Sequence, residues 1–163
     1  MLELKNISKY YDQHKGIAHL SVKVKKGSVL AFLGSNGSGK TTTFRILLGL
    51  LKPSEGTILY HKRAIREYPS TLMGYMPEER GLYMKNKVID QLVYFGMLRG
   101  MEKSAAKQNA LKLMKRLGIS EYSDMQAEKL SKGNQQKVQL AATLINDTEL
   151  IFLDEPFSGL APV

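Results

Sequence analysis

The chain has 163 residues, 43% apolar and 24% charged, which is enough for one domain with a real core. It has no cysteine, no apolar run near the ~20 residues of a membrane span and no basic-then-apolar signal at Met1-Leu2-Glu3-Leu4, which excludes disulfides and thiolate metal sites and fits a cytosolic setting. The net charge of +9 points to an anionic ligand or surface, yet Lys and Arg are scattered among acids with no aromatic-and-basic strip, so composition leaves nucleic-acid binding open while no nucleic-acid partner is expected.

In chain order, Leu2 to Ile7 alternates apolar and polar and predicts a half-exposed strand. His19 to Lys25 repeats the pattern through Leu20, Val22 and Val24, and Lys26-Gly27 is a turn signal. Val29 to Leu33 is a continuous apolar run of strand length. Thr42 to Leu51 predicts a helix that stops before Pro53, because the residue before proline is pushed out of helical geometry. Gly56 to Tyr60 and Leu72 to Met76 predict two more strands, the second ended by Pro77.

From Lys87 to Ile145 the pattern turns helical. Val88, Leu92 and Phe95 share one helical face. Ala106, Ala110, Leu113, Met114 and Leu117 share another, with Ser104 as N-cap and Gly118 as stop. Val138 to Ile145 predicts a third helix. Leu150 to Leu153 then reads as a buried parallel strand ending in Asp154-Glu155. There is no internal repeat or flexible linker, and the methionines (Met73, Met76, Met84, Met97, Met101, Met114, Met125) are expected as core filler.

Between the run 29–33 and its helix stands Gly34-Ser35-Asn36-Gly37-Ser38-Gly39-Lys40-Thr41, with the spacing of a phosphate-binding loop. Strand, Gly-rich loop and helix is the context that motif requires. Glycines let successive N–H groups turn inward, and the helix start adds its own donors and the positive end of its dipole. Lys40 supplies a flexible point charge for the outer phosphates, and the Thr41 hydroxyl is placed to ligate Mg²⁺. Downstream, the carboxylate of Asp154 at a strand tip suits Mg²⁺ or its water shell, and Glu155 suits polarising a water.

Leu130-Ser131-Lys132-Gly133-Asn134-Gln135-Gln136-Lys137 resembles the signature segment of ATP-binding cassette (ABC) ATPases, and it precedes the strand ending in Asp154 as it does there. Over residues 1–163 the chain resembles the nucleotide-binding subunit of an ABC transporter. The resemblance implies an α/β fold: a P-loop NTPase (RecA-like) core, an N-terminal antiparallel β subdomain and an inserted α-helical subdomain. Residues 1–77 would hold the β subdomain and phosphate loop, 78–146 the helical subdomain with the signature, and 147–163 the acid-tipped strand and the start of the loop beyond it.

The resemblance also implies roles. Tyr11 (or Tyr10, if the register is off by one) stacks on adenine, and Gly34 to Thr42 bind the phosphates of ATP. Ser131, Lys132, Gly133 and Asn134 face the nucleotide of a second subunit. Lys40, Glu78 and Glu155 form the catalytic set, with Glu155 as base. Thr41, Asp154 and Glu78 are the Mg²⁺ ligands. Partners are a second nucleotide-binding subunit and integral membrane permease subunits, which places the protein on the cytoplasmic face of the membrane, with 80–94 as docking surface.

Several positions depart from the family pattern. Lys132 and Asn134 stand where Gly and Gln are commonest, Glu78 where Gln is usual, and Ala161 where Ser158-Gly159-Leu160 is usually followed by Asp. The family's γ-phosphate histidine has no counterpart, since His14, His19 and His61 lie upstream, so the resemblance is to a C-terminally truncated cassette. The segment 77–83 with Leu-Ser-Lys-Gly-Asn resembles a bacterial exporter-type branch. Alternatives are a soluble ABC-type protein acting on ribosomes or nucleic acid, and an ATP-binding fragment without turnover.

Overall fold

A computed structural model describes residues 1–11, 14–35, 37–79 and 81–156, with backbone alone at 14 and 15. The expectations for Asn36, Arg80, Ser158, Gly159, Leu160, Ala161 and the His14 side chain lie outside the described residues. The chain divides into two compact units, Met1–Ser70 and Thr71–Val163.

In the first unit a four-stranded antiparallel sheet runs in the order β2-β1-β3-β4, from β1 (Leu2–Tyr11), β2 (His14–Val24), β3 (Glu55–Tyr60) and β4 (Arg63–Ala64). Leu2 and Leu4 are buried, but the next buried apolar residue is Ile7, at odd rather than even parity. A regular strand cannot turn both parities to one face, so the chain must bulge between them. The register does shift there against both neighbours, between Leu4 and Ile7 on the β2 side and between Lys5 and Ser8 on the β3 side, and Asn6 takes φ 50. Gly56 faces the bulge at φ +88, and a Cβ there would overlap the carbonyls of Lys5 and Asn6. Gly56→Ala is therefore expected to destabilise this unit by about 2 kcal/mol or more, from left-handed strain plus overpacking. The midpoint of urea unfolding checks this, and an unchanged midpoint would mean the bulge yields freely.

The run Val29 to Leu33 forms no strand, contrary to expectation: Val29 is 97% and Leu33 93% exposed. A strand exists only through a ladder, and no described strand pairs with this run. The helix after the loop, α1 (Lys40–Leu47), also ends earlier than expected. Gly49 at φ +73 donates to the Ile46 carbonyl and Leu50 donates to that of Arg45, closing a Schellman motif before Pro53 can act. The buried residues of α1 are Thr43, Phe44, Ile46 and Leu47.

The second unit combines a two-stranded parallel sheet, β5 (Met73–Met76) beside β6 (Leu150–Leu153), with α2 (Val88–Leu98), α3 (Lys103–Leu117) and α4 (Lys132–Thr143). Leu92, Met114, Val138 and Ile145 are fully buried in one apolar cluster drawn from all three helices and the turn after α4. The first donors of α2 are satisfied from outside the helix, Val88 by the Met125 carbonyl and Ile89 by that of Ser123. At the crossing of α2 and α3, a Cβ on Gly96 would sit 2.8 Å from that of Ala106, so a small residue sets their approach.

Gly118 stops α3 in the left-handed region as expected, but the N-cap is Glu102 and Ser104 lies inside the first turn. Helix α4 begins six residues before Val138, at Lys132, because the Ser131 hydroxyl accepts a hydrogen bond from the Asn134 N–H at 3.3 Å and caps it. Met73, Met76 and Met114 are core residues, whereas Met84 (38%) and Met97 (46%) are exposed, against expectation: they fall on outward faces.

Candidate functional site

In the first unit the loop 34–41 runs directly into α1. Gly37 and Gly39 hold φ +82 and +92, values that side chains disfavour. Gly39 offers no side-chain cap to the helix start, and the Thr43 N–H closes the first helical turn on the Gly39 carbonyl at 2.8 Å. Lys40 folds back over the loop, its Nζ donating to the carbonyls of Gly34 (2.8 Å) and Ser35 (3.2 Å). One cation thus spans the loop from its last turn to its first residue. Gly34 must be small, since a Cβ there would lie 2.5 Å from the Ser38 hydroxyl. Thr41 and Thr42 sit half-buried in the first turn of α1.

The same packing brings Tyr11 toward the loop. A Cβ on Gly16 would meet the Tyr11 ring at 2.8 Å, and one on Gly39 would meet the Gly16 carbonyl at 2.7 Å. Two bare backbones therefore stack Tyr11, β2 and the phosphate loop in close succession. The Tyr11 ring is 44% exposed, with the Lys9 ammonium 5.5 Å from its centre. Gly16 was not marked out in the sequence, because nothing local distinguishes a glycine needed for a long-range contact. An open cavity of about 390 Å³ lies beside the loop, walled by Ile17, Leu20, Phe32, Ser38, Gly39 and Lys40.

In the second unit the acids gather at one sheet end. Met76 pairs with Leu153 in parallel register, and the Asp154 N–H extends the ladder to the Met76 carbonyl at 2.9 Å. Glu78 and the Asp154-Glu155 pair thus leave the C-terminal ends of adjacent parallel strands, the edge where open α/β sheets bind ligands. Asp154 is 2% exposed, while Glu155 and Glu78 are exposed, Glu155 at φ 49. Among the described residues no three His, Asp or Glu side chains converge on a metal-sized point. The hydroxyl of Thr41 and the carboxylates of Asp154 and Glu78 are all hard oxygen donors. Each is a donor type that Mg²⁺ takes when it arrives on phosphates and keeps several waters.

Ser131, Lys132, Gly133 and Asn134 occupy the N-terminus of α4. Tyr122 sits against this turn: a hydrogen bond to the Glu121 carboxylate pushes its phenol above the usual range, with the Asn134 side chain opposing. Three buried or half-buried glutamines follow on α4, of which Gln139 went unremarked in the sequence. Gln135 donates to the Ala127 carbonyl at 2.8 Å, Gln136 to that of Pro156, and Gln139 to those of Pro77 and Glu79. Glutamines at the i and i+4 positions 135 and 139, flanking Val138 on an apolar stripe, were the available signal.

The family model described as ABC transporter matches residues 17–158. The chain belongs to the ABC transporter family. It is 45% identical over 163 residues to an uncharacterized ABC transporter ATP-binding protein of Bacillus subtilis, covering the whole of this chain and 55% of that protein. A Methanocaldococcus jannaschii protein of the same description is 40% identical over 159 residues, covering 98% of this chain and 57% of its own length. The chain thus spans about half the length of the curated relatives it matches.

The solved structure of cbiO1 from Clostridium perfringens, part of the ABC transporter complex cbiONQ, superposes with a TM-score of 0.87 at 26% identity, over 99% of this chain and 67% of that one. The α/β P-loop architecture of ABC ATPase domains is therefore the fold of this chain. Relatives divide over direction. A Cupriavidus metallidurans protein 34% identical over 165 residues (99% of this chain, 54% of that protein) is named for Nod factor export. An Acetivibrio thermocellus protein 30% identical over 162 residues (98% and 46%) is named for spermidine/putrescine import.

Proposed function

We propose that this chain is the ATP-binding portion of an ABC transporter ATPase that hydrolyses ATP and drives export through partner membrane subunits. The observation that carries the reading is the phosphate loop. Two left-handed glycines, a helix start without a side-chain cap and the Lys40 ammonium held at the loop support a site for a polyphosphate. Tyr11, packed on Gly16 beside that loop, supports a role in stacking on adenine.

In this reading Thr41 and Asp154 would hold Mg²⁺ or its water shell, with Glu78 as a further ligand. ATP would supply the phosphoanhydride bond to be cleaved, and bound Mg²⁺ would neutralise charge developing on the phosphate oxygens. Glu155 accepts a proton from the attacking water, and Lys40 steadies the outer phosphate oxygens. Ser131, Lys132, Gly133 and Asn134 offer a helix N-terminus to the nucleotide of a second subunit, so that ATP closes the dimer and hydrolysis opens it.

Segment 80–94 is the docking surface for the membrane subunit, supported by the exposed rings of Tyr83 and Tyr94, which pack on each other and on Phe95. Attachment to the cytoplasmic face through that partner belongs to the same reading; no helix among the described residues is long and apolar enough to cross a membrane. Export rests on the exporter-type segment 77–83 and signature, and the relative named for Nod factor export is more similar to this chain (34%) than the one named for spermidine/putrescine import (30%).

Titration calorimetry with Mg²⁺-ATP checks the reading. One site per chain is expected, with micromolar affinity, about −8 kcal/mol. A chain that is folded by circular dichroism and gives no saturable heat would contradict it.

A further inference from the structure

We infer that Gln139 is a positioning residue: it ties the helix bearing the signature to the backbone on both sides of Glu78, and so sets where that carboxylate stands. The inference rests on the reading of Glu78 as a ligand of nucleotide-bound Mg²⁺.

Gln139 lies two turns into α4 and is 5% exposed. Its Nε2 donates to the Pro77 carbonyl at 2.9 Å and to the Glu79 carbonyl at 3.2 Å. These are the carbonyls immediately before and after Glu78. A buried primary amide that commits its hydrogens to two backbone carbonyls fixes the chain between them, because losing the donor leaves both acceptors short of a partner.

The helix packs closely on β5. A Cβ on Gly74 would lie 2.8 Å from the Thr143 carbonyl, and the Thr143 hydroxyl reaches the Tyr75 carbonyl at 3.4 Å. One turn earlier on α4, Gln136 donates to the carbonyl of Pro156, the residue after Glu155. The same helix therefore holds backbone next to both exposed acids, while its N-terminus carries Ser131, Gly133 and Asn134. A shift of Glu78 toward a bound cation is passed through Gln139 to α4 as a rigid element. A helix displaced at the signature is passed back by the same bonds.

The test is equilibrium binding of a fluorescent ATP analogue to the chain and to Gln139→Met, Glu78→Ala and the double variant, each in Mg²⁺ and in EDTA. Methionine keeps the length and loses the donor. The expected result is about a tenfold loss of affinity for Gln139→Met in Mg²⁺, the low end for residues that orient a metal ligand. Affinity in EDTA stays within twofold, and no further loss appears when Glu78→Ala is already present. Gln139→Glu, which keeps the shape but offers no donor when ionised, must show the same Mg²⁺-selective loss.

Equal losses in Mg²⁺ and EDTA would assign Gln139 a merely structural role and overturn the inference, as would no loss in Mg²⁺ or an undiminished loss in the Glu78→Ala background. Failure of the unsubstituted chain to bind the analogue would instead sink the nucleotide reading, and the inference with it.

Discussion

Lys40→Ala is expected to lower the affinity for Mg²⁺-ATP by at least about 100-fold, with the fold intact. Two losses add. The ammonium makes charge-assisted hydrogen bonds to phosphate, each worth about 1.5–3 kcal/mol against about 1.4 kcal/mol per tenfold in affinity. It also spans the loop, holding the carbonyls of Gly34 and Ser35. Without it, the loop must be ordered by the ligand, which costs further affinity. The substitution leaves no buried gap, because Lys40 is half-exposed at the first turn of α1. Fluorescence titration with an ATP analogue reads the affinity and circular dichroism reads the fold. An affinity within threefold of the parent would mean the nucleotide is held elsewhere.

Leu92→Ala is expected to cost about 3 kcal/mol, the usual scale for emptying a fully buried leucine site, and to lower the melting temperature by roughly 10 °C. Leu92 is 0% exposed in the cluster that joins α2, α3 and α4. Its neighbours there, among them Met114, Val138 and Ile145, come from segments far apart in the chain, so they cannot close the void without moving a helix. Leu98, on the same helix but 64% exposed, supplies the control: Leu98→Ala is expected within about 0.5 kcal/mol of the parent. Thermal melts of the two variants side by side check both values, and equal melting temperatures would deny that the three helices share a core.

What was legible in the sequence is what local chemistry dictates. The phosphate loop, the strand Leu150–Leu153 with its acids, and the end of α3 at Gly118 all depend on residues within a turn or two. What was not legible depends on partners elsewhere. Val29 to Leu33 has the composition of a strand, but no described strand pairs with it. The early end of α1 shows two stop signals in competition, with Gly49 acting before Pro53. The bulge in β1 was present as a parity break between Leu4 and Ile7, though only the pairing with Gly56 shows why it is kept. Of the candidate site, Lys40, Asp154 and Glu155 were readable as types at spacings, and Glu78 only through the family resemblance. Gly16 and Gln139 were not, since a glycine that admits a ring and a glutamine that holds two carbonyls look ordinary until the contact is seen.

Every role assigned to the other site residues presupposes that the backbone of Gly34 to Thr42 holds the phosphates of ATP. Amide ¹⁵N–¹H correlation spectra of the chain, titrated with Mg²⁺-ATP, read those amides one by one. The largest shifts are expected on Gly37, Ser38, Gly39, Lys40 and Thr41, with smaller ones near Tyr11. Shifts spread over the surface lysines, or centred on the helical cluster while the loop amides stay still, would mean that the phosphates are not held by this loop.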